Sequence, residues 1–206
     1  SACYTPADDD TDGIANDVNA AAGLPLTLAA AGPGDGMGHL IILTPSGSVT
    51  GSYSITGTNA NGITVTESVA TNTVSAVTST YYFATVTQVL APAGIGAETI
   101  DIGWTDDVVS AAFPLNWRQS QFQVSIGVNI NGTINYTIQH AFDQLNPTGQ
   151  LGPADTESYV WWPHSTLVSK TADADGNYAF PVTATRILIN SLTSGATIEW
   201  FVVQGK

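Results

Sequence analysis

The sequence predicts an all-β protein: two small antiparallel modules of β-sandwich or jelly-roll type, preceded by an extended N-terminal arm. Thr, Val, Ile, Ser and Gly dominate while Lys and Glu are scarce, and β-branched side chains suit a pleated surface better than a helix. Short runs of alternating polarity recur, punctuated by Gly, Pro, Asn and Asp. Related phrases also occur twice, about 100 residues apart. Val77-Thr78-Ser79-Thr80 leads to Gly96-Ala97-Glu98-Thr99-Ile100-Asp101, and Val182-Thr183-Ala184-Thr185 leads to Gly195-Ala196-Thr197-Ile198-Glu199. Each copy follows an Asn-Gly pair, Asn61-Gly62 or Asn131-Gly132, which predicts two modules built on one plan.

Residues 1–22 are acidic and Ala-rich without strand alternation, so they read as an extended arm, disordered in the free subunit and ordered on docking. Module 1 spans residues 23–105. Residues 24–28 form an edge strand that tolerates Pro25, and the glycine-rich stretch 32–38 is a loop. A short apolar strand covers 39–44. Residues 52–58 and 63–69 alternate at period two around Asn59-Ala60-Asn61-Gly62, a hairpin. Strands at 80–90 and 99–104 complete the module.

The boundary falls in 105–116, where Asp106-Asp107 and Pro114 separate two β-rich halves. Module 2 spans 116–206. It opens with a strand at 122–130, turns at Asn131-Gly132 and returns along 133–142. A long aromatic loop, 143–175, follows. Loops of that length inside compact domains usually carry function. Strands resume at 178–190 and 196–204.

The chain of 206 residues carries 17 acids against four Lys and Arg, for a net charge of −13. So few cations do not neutralise phosphates, which excludes nucleic acid as a partner and disfavours anionic membranes. The charge reads either as solubility and mutual repulsion between copies or as docking against a basic partner surface. No uninterrupted apolar run reaches about 18 residues, so no membrane-spanning helix is expected. The opening residues also lack the charged-then-apolar pattern of a secretory signal. Cys3 is the one cysteine and is expected to be a free thiol.

No catalytic pattern emerges, and the chain is expected to be neither an enzyme nor a cofactor carrier. His39, His140 and His164 lack ligand spacing. No Gly-x-Ser-x-Gly elbow occurs, and the lone cysteine has no companion of papain type. Asp8, Asp10 and Asp12 sit at calcium-loop positions one, three and five with Gly13 at six. Asn19, however, occupies the place of the bidentate Glu, and a solvated acidic arm competes with the metal. Asp173-Ala174-Asp175-Gly176-Asn177 also resembles part of a calcium loop, against the simpler expectation of a tight turn. Asn131-Gly132-Thr133 and Asn135-Tyr136-Thr137 match the glycosylation sequon. Tyr159, Trp161, Trp162 and His164 are the candidate interface residues. Clustered aromatics anchor interfaces, stack on sugars or cap a sandwich.

Several stretches resemble virion structural proteins of tailed bacteriophages, particularly small β-proteins encoded near the major capsid gene. They are Gly34-Asp35-Gly36-Met37-Gly38-His39, Ile55-Thr56-Gly57-Thr58-Asn59-Ala60-Asn61-Gly62, Val77-Thr78-Ser79-Thr80-Tyr81-Tyr82-Phe83, and 171–182 from Thr171 to Val182. The resemblance implies a head decoration (cement) protein or a neck or tail component. For a decoration protein it implies a place on the capsid exterior, the major capsid protein and copies of itself as partners, and a homotrimer. A ring- or tube-forming neck or tail protein is the structural alternative. A carbohydrate-binding or adhesive module built on Tyr159, Trp161 and Trp162 is the alternative of another class.

Overall fold

A computed structural model describes residues 1–19, 21–72, 74–118, 122–143 and 159–205, and every regular element among them is a strand. The fold class is therefore all-β, with antiparallel sheets packed as sandwich-like layers. Two compact units divide the chain. The first is Asp9–Asp106; the second joins Ser1–Asp8 to Asp107–Lys206.

In the first unit, β3 (Gly38–Pro45), β4 (Gly51–Thr58), β5 (Thr64–Thr71), β6 (Val77–Phe83) and β7 (Thr85–Leu90) follow β2 (Asp10–Asn19). Then comes β8 (Thr99–Val109), whose residues up to Asp106 belong to this unit. One sheet orders β2-β8-β3-β6 and the other β5-β4-β7. Their inward residues, among them Ile41, Leu43, Tyr53, Ile55, Phe83, Val86, Ile100 and Ile102, form one buried core. Period-two alternation along β4 puts Tyr53, Ile55 and Gly57 on that core face. At Gly57 a Cβ would lie 1.9 Å from the Thr85 carbonyl oxygen, so only glycine permits that close approach. The Asn59–Gly62 hairpin forms as expected: Asn59 Oδ1 accepts from the amides of Asn61 (3.0 Å) and Ile63 (3.1 Å), and Gly62 takes φ 76°. Glu67 ties the two sheets together at one side. Its carboxylate accepts from Thr80 N, Thr80 Oγ1 and Tyr81 N at 2.8–2.9 Å.

The second unit is a sandwich of arches. Here β1 (Ala2–Tyr4), β10 (Val124–Asn131), β13 (Ala174–Tyr178) and β15 (Thr197–Gln204) make one sheet, ordered β1-β15-β10-β13. In the other, β11 (Ile134–Ala141) lies between β12 (Trp162–Pro163) and β14 (Ala184–Leu192). Val108 and Val109 of β8 and the short β9 (Phe113–Pro114) pair along β14. Two adjacent arches carry the chain between the sheets, one from β10 to β11 and one from β14 to β15.

Several expectations need correction. Residues 1–22 are not a free arm: β1 pairs with β15, and β2 pairs with β8. The register of β2 shifts twice, between Asp10 and Ala15 and between Ala15 and Val18. Those irregularities erase the alternation that would have announced a strand. Ile14 and Ala15 are buried, and Gly103 makes room, since a Cβ there would lie 1.8 Å from the Asp10 carbonyl.

Asn131-Gly132 does not join a paired hairpin, because β10 and β11 lie in different sheets. Both strands bury apolar side chains on one face, Val124, Ile126 and Val128 against Ile134, Tyr136 and Ile138, and an arch turns the two faces toward each other. Nor is Asp175-Gly176 a tight turn. It lies inside β13, opposite Gly127 and Ile126, and the glycine leaves space for His164 and Leu167, whose atoms would come within 2.9 Å of a Cβ. The duplicated plan also fails. β7 lies between the two phrases of the first copy, whereas β14 runs directly to β15 in the second.

Of the aromatic loop, residues 144–158 lie outside the described residues. From Trp162 to Ala172 the chain is laced along β11. His164 N donates to Ile138 O (2.8 Å), Lys170 and Tyr136 exchange backbone bonds (2.8 and 2.9 Å), and Tyr136 Oη donates to Ala172 O (3.0 Å).

Candidate functional site

The predicted interface residues part company. Trp162 is 52% exposed beside β11. Trp161 is half-buried under the Arg186 guanidinium, 4.1 Å from its ring centroid, and Arg186 Nε donates to Gln139 Oε1 at 2.8 Å. Tyr159 lies tilted against Trp161 at 6.4 Å. One face of Trp161 is thus already occupied by a cation, so Tyr159, Trp161 and Trp162 do not present one open aromatic platform. His164 is buried, not a surface residue. Its Nδ1 faces the Thr166 amide (3.2 Å) and its Nε2 the Asn177 carbonyl (3.2 Å). An N–H donor on one nitrogen and a carbonyl acceptor on the other select the neutral ring with its proton on Nε2.

Around His164 lies an aromatic cluster that sequence reasoning missed. Tyr178 meets the rings of His164 (4.8 Å), His140 (5.1 Å) and Phe180 (5.9 Å) edge-on. Phe142 contacts His140 edge-on at 5.1 Å and stacks on Phe180 at 6.1 Å. His140 and Tyr178 are buried, while Phe142 and Phe180 are about half exposed, at 50% and 46%. Beside them Trp117, Phe142, Pro181 and Thr183 line a shallow cavity of about 160 Å³. Burial pushes the His140 imidazole below its ordinary range, and neighbouring His164 lowers it further. Burial also lowers His164, against the opposing pull of the Asn177 carbonyl. Among the described residues His140 Nδ1 has no hydrogen-bond partner. Burial pushes the Tyr178 hydroxyl up to about 12. Both imidazoles and the phenol are held neutral and packed edge-on against one another and the phenylalanine rings.

His39 of the first unit is the counterexample. It is fully buried, with Nε2 2.8 Å from Asp35 Oδ2 and Nδ1 3.0 Å from the Thr105 carbonyl. Both partners are acceptors, so the imidazole is fixed between a carboxylate and a carbonyl. Asp35 Oδ1 also accepts from Met37 N (2.9 Å), which pins the glycine-rich loop.

Of the calcium candidates, Asp10 and Asp12 open β2. There Asp10 Oδ1 accepts from Asp12 N (3.2 Å) and Asp12 Oδ2 from Asn16 Nδ2. Asp173 accepts from Ile130 N at 2.8 Å. Among the described residues no group of three or more His, Cys, Asp or Glu stands ready for a metal ion.

Outward positions of the second unit carry the remaining signal. All the exposed large apolar side chains among the described residues belong to it except Leu24 and Val74. The aromatic ones are Phe113, Phe142, Trp162, Phe180 and Phe201. Phe201 was findable in the sequence, because Ile198 and Trp200 set the inward phase of β15 and leave Phe201 facing out. Comparison with protein-family models, with curated proteins and with solved structures gives no match.

Proposed function

We propose that the chain is a non-enzymatic virion structural protein that docks through its second unit on the exterior of a phage capsid. There it cements neighbouring major capsid subunits and associates with copies of itself as a trimer. One observation carries this reading: exposed aromatic side chains are concentrated on one unit of a strongly acidic protein. Aromatic anchors dominate binding energy at interfaces, and the second unit holds them on strands and at strand ends, where backbone pairing restrains them. The neutral, buried histidines beneath the Phe142–Phe180 pair support such a packing surface. The resemblance of the turn-and-strand phrases to phage virion proteins supports the setting. On a shell, many identical weak contacts add up through multivalency.

Quantitative mass spectrometry of purified virions tests the proposal. Copy numbers on the order of hundreds fit decoration of a repeating lattice. A number matching a single ring would move the protein to the neck or tail, and absence from the particle would remove it from the virion. Tryptophan fluorescence that responds to a glycan panel and is lost in Trp162→Ala would favour the adhesive alternative.

A further inference from the structure

On the solvent face of the β1-β15-β10-β13 sheet, Phe201, Gly127 and Asp175 form one cross-strand row. Phe201 is 41% exposed. Gly127 offers no side chain, so the row has a notch between the ring and the carboxylate. A Cβ added there would meet only Phe201 Cδ2, at 3.9 Å. The notch is part of an open groove of about 350 Å³ lined by Gly127, Asn129, Asp173, Asp175 and Phe201, together with Val128 and Ala174. Glu199 lies on the same face, two residues before Phe201 and opposite Asn129. Among the described residues neither Asp175 nor Glu199 has a side-chain partner, whereas Asp173 is held by the Ile130 amide.

We infer that this groove is a docking site for an arginine side chain presented by a partner protein. Three features select that occupant. Phe201 is partly exposed beside the notch and offers its ring to a planar cation. Asp175 and Glu199 flank it with uncommitted carboxylates, which accept the two-pronged donor set of guanidinium. The glycine notch admits the side-chain stem between them. The charge of −13 favours approach of a basic surface. A neutral sugar would leave the carboxylates without a counter-charge, and lysine would forgo the planar stacking. The inference does not depend on the capsid reading, because the groove either takes arginine on the isolated protein or does not.

The test is an NMR titration of the isotopically labelled full chain with the peptide Gly-Gly-Arg-Gly-Gly and its citrulline counterpart, which has the same shape without the charge. The arginine peptide should shift the amides of Gly127, Asp175 and Phe201, with the citrulline peptide at least about fivefold weaker. Phe201→Ala and Gly127→Leu leave the net charge unchanged and should each weaken binding about threefold to tenfold. Asp175→Asn should do the same, while Asp9→Asn, which changes an acid that does not line the groove, serves as the charge control and should alter affinity less than about twofold. Melting curves of each variant separate lost binding from lost folding, and the exposed Asp175→Asn keeps the test open if a bulkier change unfolds the chain. Equal binding of both peptides would assign the groove to neutral ligands. Unchanged affinity in Phe201→Ala and Gly127→Leu would reduce the effect to diffuse charge. Either result overturns the inference.

Discussion

The two units bury histidine in opposite ways. In the first, His39 is held between a carboxylate and a carbonyl. In the second, His140 and His164 lie among Phe142, Tyr178 and Phe180, and burial holds them neutral. The same side chain is therefore a hydrogen-bonded strut in one sandwich and an aromatic filler in the other. The partner decides which, since hydrogen bonds must replace the water that a buried polar group loses.

Removing the strut's partner should have the largest effect. Asp35→Ala leaves the His39 ring buried with a nitrogen unanswered and should destabilise the first unit by about 1–3 kcal/mol. His140→Phe deletes a ring nitrogen that already lacks a partner and should change the second unit by less than about 1 kcal/mol, in either direction. Urea denaturation followed by unit-resolved hydrogen exchange measures both. Equal losses would erase the contrast.

Acidification should come next and strike the second unit. His140 and His164 have folded-state pKa values below their unfolded ones, so the unfolded chain binds more protons once the pH drops below about 6.5. Stability then falls with falling pH, by up to about 1.4 kcal/mol per pH unit for each histidine, until the folded-state pKa is passed. Melting curves between neutral and mildly acidic pH should show the second unit weakening over this window. The His140→Phe, His164→Phe double variant should lose that part of the slope.

Backbone substitutions separate hairpin from arch. Gly62 and Gly132 both have positive φ, 76° and 90°, but Gly62 has open space around it while a Cβ on Gly132 would meet Ala196 Cβ at 2.9 Å. Gly62→Ala should cost about 1 kcal/mol from conformation alone. Gly132→Ala should cost about 2 kcal/mol, because neighbouring arches must also move apart. Thermal denaturation of the two variants compares them directly.

The smallest effect on stability belongs to the surface. Trp162→Ala should shift it by less than about 0.5 kcal/mol while reducing attachment to capsids in a pelleting assay. A variant that unfolds would make Trp162 part of the core, and one that binds undiminished would move the contact elsewhere.

Much of the first unit was legible because its signals are local. Alternation along 52–58 and 63–69 and the amide-capping Asn59 need only neighbours in sequence. The same Asn-Gly signal misled at 131–132, since a hairpin and an arch share turn chemistry and differ only in which strands lie beside them. The acidic segment 10–19 hid its strand because bulges break the alternation, and the space that admits it is made by a distant residue, Gly103. The aromatic candidates were found by composition, but Arg186 removed Trp161 from the open surface and burial removed His164, while Phe142, Phe180 and Phe201 joined the exposed set.

By itself the sequence determined the β class, the acidic surface and the two Asn-Gly turn positions, because propensity, charge and turn chemistry belong to residues and their immediate neighbours. Tertiary structure alone decided which strands share a sheet, which histidine meets a carboxylate and which aromatic faces water. Each of those is a contact between residues far apart in the chain, and its sign depends on the partner that packing supplies.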